Sequence, residues 1–548
     1  MLLFLLFRKV DYTFKIEYNI IEKVYNLNIL NADRRGVKMK QKVVLLPLDE
    51  RPCNYVFPQM IFKETDIEVV TCDRLLLGRK KTPAELEAVD DFLRKETKDA
   101  FGLVVSIDML LYGGIVPSRL HYKKEVDLIA RIQILKEIKK ANPKIKIFAF
   151  DLIMRCPQSS FSEEEPDYYA ICGREIFLSG FYKDHLDQGI ATDEEKQLLE
   201  EVMKKIKPEY LDDYLNRRKI NSKLNLESLK LVEDGTIDFL IYPQDDASEF
   251  GYTAKDQTIV RKKIDEGNLG FQVYMYPDAD GVTNVLLSRM LLLVKGIRPL
   301  VYIRYLAPTA AVQIPCLEDR YLDISIRYQI LASGAIVATS ASEADIILLV
   351  NSSGDKMGVD PAIYFNPTRG TTVLRNLIEG LEFVEYCIDE LNKPVMIADV
   401  TYLNGSDLEL ISLLNKKNLL YKLSSYAGWN TAGNTLGTVI PHGITTMLYG
   451  KTQSYYDFMT LRYLEDAMYC SIVRFRVTNR DLPSMGLHYF NSGGVEGIVS
   501  QIVEKEIIKE ASHYLSTMDN RYIIKRCYMP WARMFEVGLD VEYRVIEE

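Results

Sequence analysis

The sequence predicts an α/β protein built on parallel strands, and three observations carry that expectation. Short apolar runs bounded by turn residues recur along the chain, and their length suits strands rather than helices. These runs alternate with segments of helical periodicity, a pattern that implies right-handed crossovers and parallel pairing. A charged residue closes six of the runs at the carboxyl end: Asp49, Asp108, Asp151, Asp245, Asp278 and Arg304. In parallel α/β folds that end faces the ligand crevice. Because charges follow so many strands, a TIM-like, barrel-like first domain is favoured over an open doubly wound sheet, which gathers its ligand residues near one switch point.

Taken in order, the first strand is Val43 to Leu48, which empties into Asp49-Glu50-Arg51-Pro52-Cys53-Asn54. Glu68 to Cys72 is the second, and Thr82-Pro83 with Glu85 opens a helix in a capping arrangement. Gly102 to Ile107 ends at Asp108 and leads through Tyr112-Gly113-Gly114 to Pro117-Ser118-Arg119. A helical stretch from Val126 to Lys140 stops before Asn142-Pro143, and the strand Ile145 to Phe150 follows, with Asp151 and Arg155 beyond it. Residues 159–235 lack strand patterns and read as a helical insertion, clearest at Glu194 to Ile206. Phe239 to Tyr242, Phe271 to Tyr276 and Leu300 to Ile303 complete a first α/β domain over residues 39–307. A second, Rossmann-like α/β domain is expected over 308–450, with helices at Asp323 to Ser333 and Thr372 to Leu391. Its strands are Ala335 to Ala338, Ile346 to Val350 and Val395 to Ala398. Residues 451–548 read as mostly helical, from Tyr456 to Val473 and onward to a packed tail.

The first 38 residues are expected to be a mis-annotated or disordered leader. Arg34-Arg35-Gly36 reads as the translation of a purine-rich ribosome-binding tract just upstream of Met39, and MLLFLLFRKV is too short an apolar run to span a bilayer. A net charge of −9 gives no electrostatic reason for a nucleic-acid partner, and no membrane partner is expected. Eight scattered cysteines without a CxxC pair, and five histidines, argue against zinc or a disulfide framework and for a reducing cytoplasm. No resident metal or cofactor is expected, so any chemistry falls to carboxylates, amides and arginines.

Within DFLIYPQDDASEFGYTAKDQ, residues 238–257, the neighbours Asp245 and Asp246 suit one orienting carboxylate and one general acid, because each charge raises the other's pKa. The simpler reading has Asp246 capping a helix that begins near Ser248. Asp278 and Asp280, two apart on an extended segment, are expected to point the same way. Arg51 either neutralises Asp49 and Glu50 or holds an anionic substrate, and Arg155 and Arg304 carry the same alternatives. In YAGWNTAGNTLG, residues 426–437, Trp429 offers an indole face, with Asn430 and Asn434 beside it to bond sugar hydroxyls. The alternative there is a helix start capped by Asn430 or Thr431. Asn54, Asp108, Asp399 and Asn404 complete the candidate substrate-binding set.

Four strings together, LLPLDERPCNY, YPQDDASEFGYTAKDQ, the segment from Asp399 to Asp407 and YAGWNTAGNTLG, resemble DUF4127, a bacterial family of unknown function. The likeness runs from Lys42 to the C-terminal region. It supplies a family and little mechanism. Where that family carries an Asp-Glu pair after the strand matching Phe271 to Tyr276, this chain has Asp280-Gly281. The residues themselves point to a carbohydrate-active hydrolase acting on a sugar, with an amino-sugar glycoside as the expected substrate, Asp246 as acid and Asp245 orienting. One alternative is a magnesium-dependent phosphoryl or phosphate-ester enzyme, with Asp49, Asp245 and Asp278 gathering the ion. Another is a non-catalytic sugar- or nucleotide-binding protein whose two lobes close on a ligand.

Overall fold

Alternation along the strands sets up the first sheet. In β1 (Gln41–Leu46), β3 (Gly102–Ser106) and β4 (Lys146–Phe150), Val43, Leu45, Val104, Phe148 and Phe150 pack into one core. Val44, Leu46, Leu103, Val105, Ile147 and Ala149 pack into another, on the opposite face. Strands buried on both faces read as continuous apolar runs, which is how a parallel sheet clothed by helices is written in sequence. The computed structural model describes residues 40–358 and 368–544, and the expectation for residues 1–38 lies outside them.

The first sheet has six strands in the order β2-β1-β3-β4-β5-β6, where β2 is Ile67–Thr71, β5 is Phe239–Gln244 and β6 is Val273–Pro277. Pairing is parallel from β1 through β3, β4 and β5 to β6. β2 and β6 are its edges, so the sheet is open and the favoured barrel does not form. The chain steps from β1 out to β2, returns past β1 to β3 and then adds each later strand on that side. In open sheets of this order the ligand crevice is expected at that reversal, between the loops after β1 and β3. Carboxylates after successive strands fit an open sheet as well as a barrel, because every parallel strand delivers its carboxyl end to the same edge.

A second sheet obeys the same rule. β7 (Leu300–Tyr305), β8 (Ile336–Val337), β9 (Ile346–Asn351), β10 (Val395–Asp399) and β11 (Ser425–Ala427) lie in the order β8-β7-β9-β10-β11, all parallel. β7, which carries Arg304, joins this second sheet rather than the first. An apolar run says that a strand forms, not which sheet it joins.

One apolar cluster joins the first sheet's inner face, the helices Val282–Lys295 and Ala432–Tyr449, and the second sheet. These two helices meet at glycines: a Cβ on Gly281 or Gly437 would lie 2.8 Å from the other's Cα. The described residues from Lys42 onward form one compact unit. The insertion folds as the helices Tyr169–Asp187, Asp193–Lys205 and Pro208–Glu233 around a small core of its own. A capping box between Thr192 and Glu195 starts its middle helix. Beyond residue 451 the chain is helical except at residues 486–497 and a few linking residues up to Met518, with a π-helical stretch at Tyr463–Val473. It then forms an antiparallel hairpin of β12 (Tyr522–Tyr528) and β13 (Gly538–Tyr543), whose interspersed charges hide its strand character in the sequence. No helix among the described residues is long and apolar enough to cross a membrane.

Candidate functional site

The carboxyl-end loops of the first sheet meet in a chain of carboxylates and guanidinium groups. After β1 the backbone turns into the helix Pro52–Phe62, whose proline at the first position fixes its start. The turn brings Arg51 back onto Asp49, with Nε and Nη2 donating to Oδ2 at 2.9 and 2.7 Å. Arg51 Nη2 also donates to Asp280 Oδ1, beyond β6, at 2.6 Å. Asn54 Nδ2 joins the same two aspartates at 3.0 and 2.8 Å. Burial lifts Asp280 to about 6 against the pull of Arg51. Burial and the Asp49 charge lift Glu50 to about 7.

The C-terminal segment between β12 and β13 closes over this cluster. Trp531 Nε1 donates to Glu50 Oε1 at 2.6 Å, and the guanidinium groups of Arg51 and Arg533 lie 4.7 and 4.4 Å from the centre of its ring system. Trp531 and Ala532 both have φ of 54°, a left-handed conformation costly for residues with a Cβ. Glu536 accepts from Arg533 at 3.2 Å and lies 3.7 Å from Arg51 Nη1. Arg533 in turn bonds Glu164, from the insertion. Burial alone would raise Glu164, but Arg533, Arg155 and Arg119 together hold it well below the usual carboxylate range.

Asp245 and Asp246 lie where this network reaches the surface, with side chains 19% and 21% exposed. Asp245 Oδ2 accepts from Arg119 Nη2 at 2.5 Å and from Arg155 Nη1 at 3.2 Å. Arg155 Nη1 also donates to Asp246 Oδ2 at 2.9 Å. Burial, and then the Asp245 charge, push Asp246 up to about 6. Asp246 does not cap the helix after it. That helix starts at Tyr252 behind Gly251, while Asp246 takes φ of 45° and turns its carboxylate to Arg155.

Asp108 and Asp151 lie deeper, after β3 and β4. Asp108 accepts from the Leu152 amide at 2.9 Å and Asp151 from Ser228 at 2.7 Å. Burial raises Asp108 to about 6, and burial with the Asp108 charge raises Asp151 to about 8. Asp278 and Asp280 do not point the same way, because the strand stops at Pro277 and the chain turns. Asp278 Oδ1 accepts the Ala279 and Gly281 amides at 2.7 and 3.0 Å and Asn434 Nδ2 at 2.9 Å, so it ties two helix starts together.

Trp429 is a packing residue in this structure, where its indole N–H donates to Thr438 at 3.1 Å and its ring meets Phe57 edge-on at 5.9 Å. Thr431 caps the helix that follows, and Asn430 donates to Asn434 at 2.7 Å. Arg304 lies apart on the second sheet, bonded to Glu379. Asn404 takes φ of 63° and donates its backbone N–H to Asn430 at 2.9 Å. Asp399 belongs to a closed cluster after β9 and β10: it accepts from Asn351, Tyr426 and the Asp407 amide at 3.0, 2.9 and 2.7 Å.

Arg119, Glu164, Glu165, Trp531, Arg533 and Glu536 join the site although strand ends do not announce them. A faint signal exists for some: Glu163-Glu164-Glu165 is an acidic run inside a basic and acidic insertion, and Trp531 is one of only two tryptophans. Among the described residues, no three His, Cys, Asp or Glu side chains gather in an arrangement fit for a metal ion. The chain belongs to the DUF4127 family, described as a protein of unknown function, whose model matches residues 43–540. No curated protein matches it.

Proposed function

We propose that the protein is a carbohydrate-active hydrolase, with Asp246 as general acid and Asp245 as the carboxylate that orients the substrate. The observation that carries this reading is a surplus of acceptors around an acid raised to about 6. Asp49, Asp245, Asp246, Asp280, Glu164, Glu165 and Glu536 share only Arg51, Arg119, Arg155 and Arg533. Among the described residues, buried Asn54 Oδ1 and Glu165 Oε2 have no donor and buried Arg533 Nε has no acceptor. Such a site favours a ligand that brings hydrogen-bond donors, and hydroxyl and ammonium groups do so. An amino sugar carries both. Asp246, protonated below about 6, is suited to give its proton to a departing glycosidic oxygen.

The same arithmetic disfavours a phosphorylated substrate at this site. Arg51 and Arg155 are already taken by carboxylates, and additional negative charge would meet uncompensated acids. The test is turnover of a panel of aryl glycosides, including amino-sugar glycosides, beside aryl phosphate esters. Release of the aryl group from an amino-sugar glycoside without added metal is the expected result. Hydrolysis of phosphate esters alone, dependent on magnesium, would overturn the reading.

A further inference from the structure

We propose that a basic pocket in the helical insertion binds a phosphorylated small molecule, at a site separate from the carboxylate crevice. The pocket is an open depression of about 420 Å³ between the helices Tyr169–Asp187, Pro208–Glu233 and Tyr252–Glu266. That volume suits a small molecule rather than a polymer. Lys183, Lys219, Lys223 and Lys255 surround it, and buried Arg218 forms part of its wall.

In a chain of net charge −9, five cations around one cavity are a local exception. Lys219 and Lys223 are one helical turn apart, an arrangement in which like charges repel and which a bound anion would relieve. The acids that face the pocket are already engaged. Asp256 lies 2.7 Å from Arg218, Glu125 lies 2.5 Å from Lys223, and Asp187 bonds Lys255 while its charge also reaches Lys183. The Lys183 and Lys219 ammonium groups form no hydrogen bond or close ion pair among the described residues, so two ammonium groups remain for a ligand.

Lysine ammonium groups act as point charges for phosphate. Leu215, Leu226, Ile259 and the ring of Tyr252 give the pocket an apolar side against which the rest of such a molecule can lie. Arg218 also donates to the carbonyl oxygens of Met154 and Arg155, so the pocket wall touches the segment that carries the acid pair's shared guanidinium.

Pyrophosphate and inorganic phosphate are the probes, titrated calorimetrically into the whole protein and into the double variant Lys183→Gln/Lys219→Gln. Both lysines are exposed, so the variant is expected to keep the wild-type melting temperature. Saturable pyrophosphate binding with a Kd of about 1 mM or tighter is expected, weakened at least about tenfold in the variant. Inorganic phosphate, with less charge to share among the lysines, should bind more weakly than pyrophosphate. Absence of saturable pyrophosphate binding, or equal affinity in the two proteins, would overturn the proposal.

Discussion

At the carboxyl end of the second sheet, Asn351, Asp399 and Asp407 satisfy one another. Asp407 takes the Arg375 guanidinium and the Asn351 amide, Asn351 Oδ1 takes Arg375 at 3.0 Å, and Tyr426 completes Asp399. At the carboxyl end of the first sheet the same strand order delivers a different balance. Among the described residues Asn54 Oδ1, Glu165 Oε2 and Asp278 Oδ2 have no donor there, and Asp246 is partly open, whereas Asp399 and Asp407, which also outnumber their one guanidinium, are completed by amide, hydroxyl and backbone donors. A switch-point topology therefore gathers polar side chains at one edge of the sheet, but how fully their donors and acceptors are satisfied decides what capacity is left for a ligand.

The comparison breaks most visibly at Arg375. Arg375→Met leaves Asp407 buried without its cation, and a loss of about 3–5 kcal/mol in urea unfolding is expected, with turnover per folded molecule unchanged. A smaller effect sharpens the pH contrast. Burial raises Glu318, beside the Gly433 amide, to about 8 from an ordinary 4.5. Between those values the folded protein holds a proton that the unfolded chain has released, so this group's stabilisation falls as pH rises from about 4.5 through 8. Glu318→Gln should flatten that slope in melting temperature against pH. Glu164 has the opposite sign: its depressed pKa gives stability above the usual carboxylate range, lost as pH falls through its folded value. The smallest effect is expected at the tryptophans. Trp429→Phe removes one hydrogen bond to Thr438, worth about 1 kcal/mol, and should leave KM unchanged. Trp531→Phe should lower activity, because Glu50 loses its donor.

The strands were legible because each is a short apolar run buried on both faces, and the insertion because its helices carry charge without strand periodicity. Sheet order was not, since nothing local in Leu300–Tyr305 says that β7 starts a second sheet. For the site, Asp245, Asp246, Asp49, Arg51 and Arg155 could be read from strand ends. Arg119, Glu164 and Arg533 reach it from a short helix after a glycine turn, an insertion and the β12–β13 hairpin, and their meeting depends on tertiary packing. The two tryptophans show the limit plainly. Trp429 sits in the more unusual string yet fills a core, whereas Trp531, in an unremarked tail, lies between two site arginines.

The most direct measurement compares kcat for Asp246→Asn and Asp399→Asn with that of the wild type on the aryl glycosides of the proposed activity. Asparagine tolerates the left-handed φ of 45° at 246, so the fold should survive that change. The account predicts a fall of about 10²–10⁴-fold in kcat for Asp246→Asn with an unchanged melting temperature, and a lowered melting temperature with preserved kcat for Asp399→Asn. Full activity in Asp246→Asn, or loss of activity in a stably folded Asp399→Asn, would contradict it.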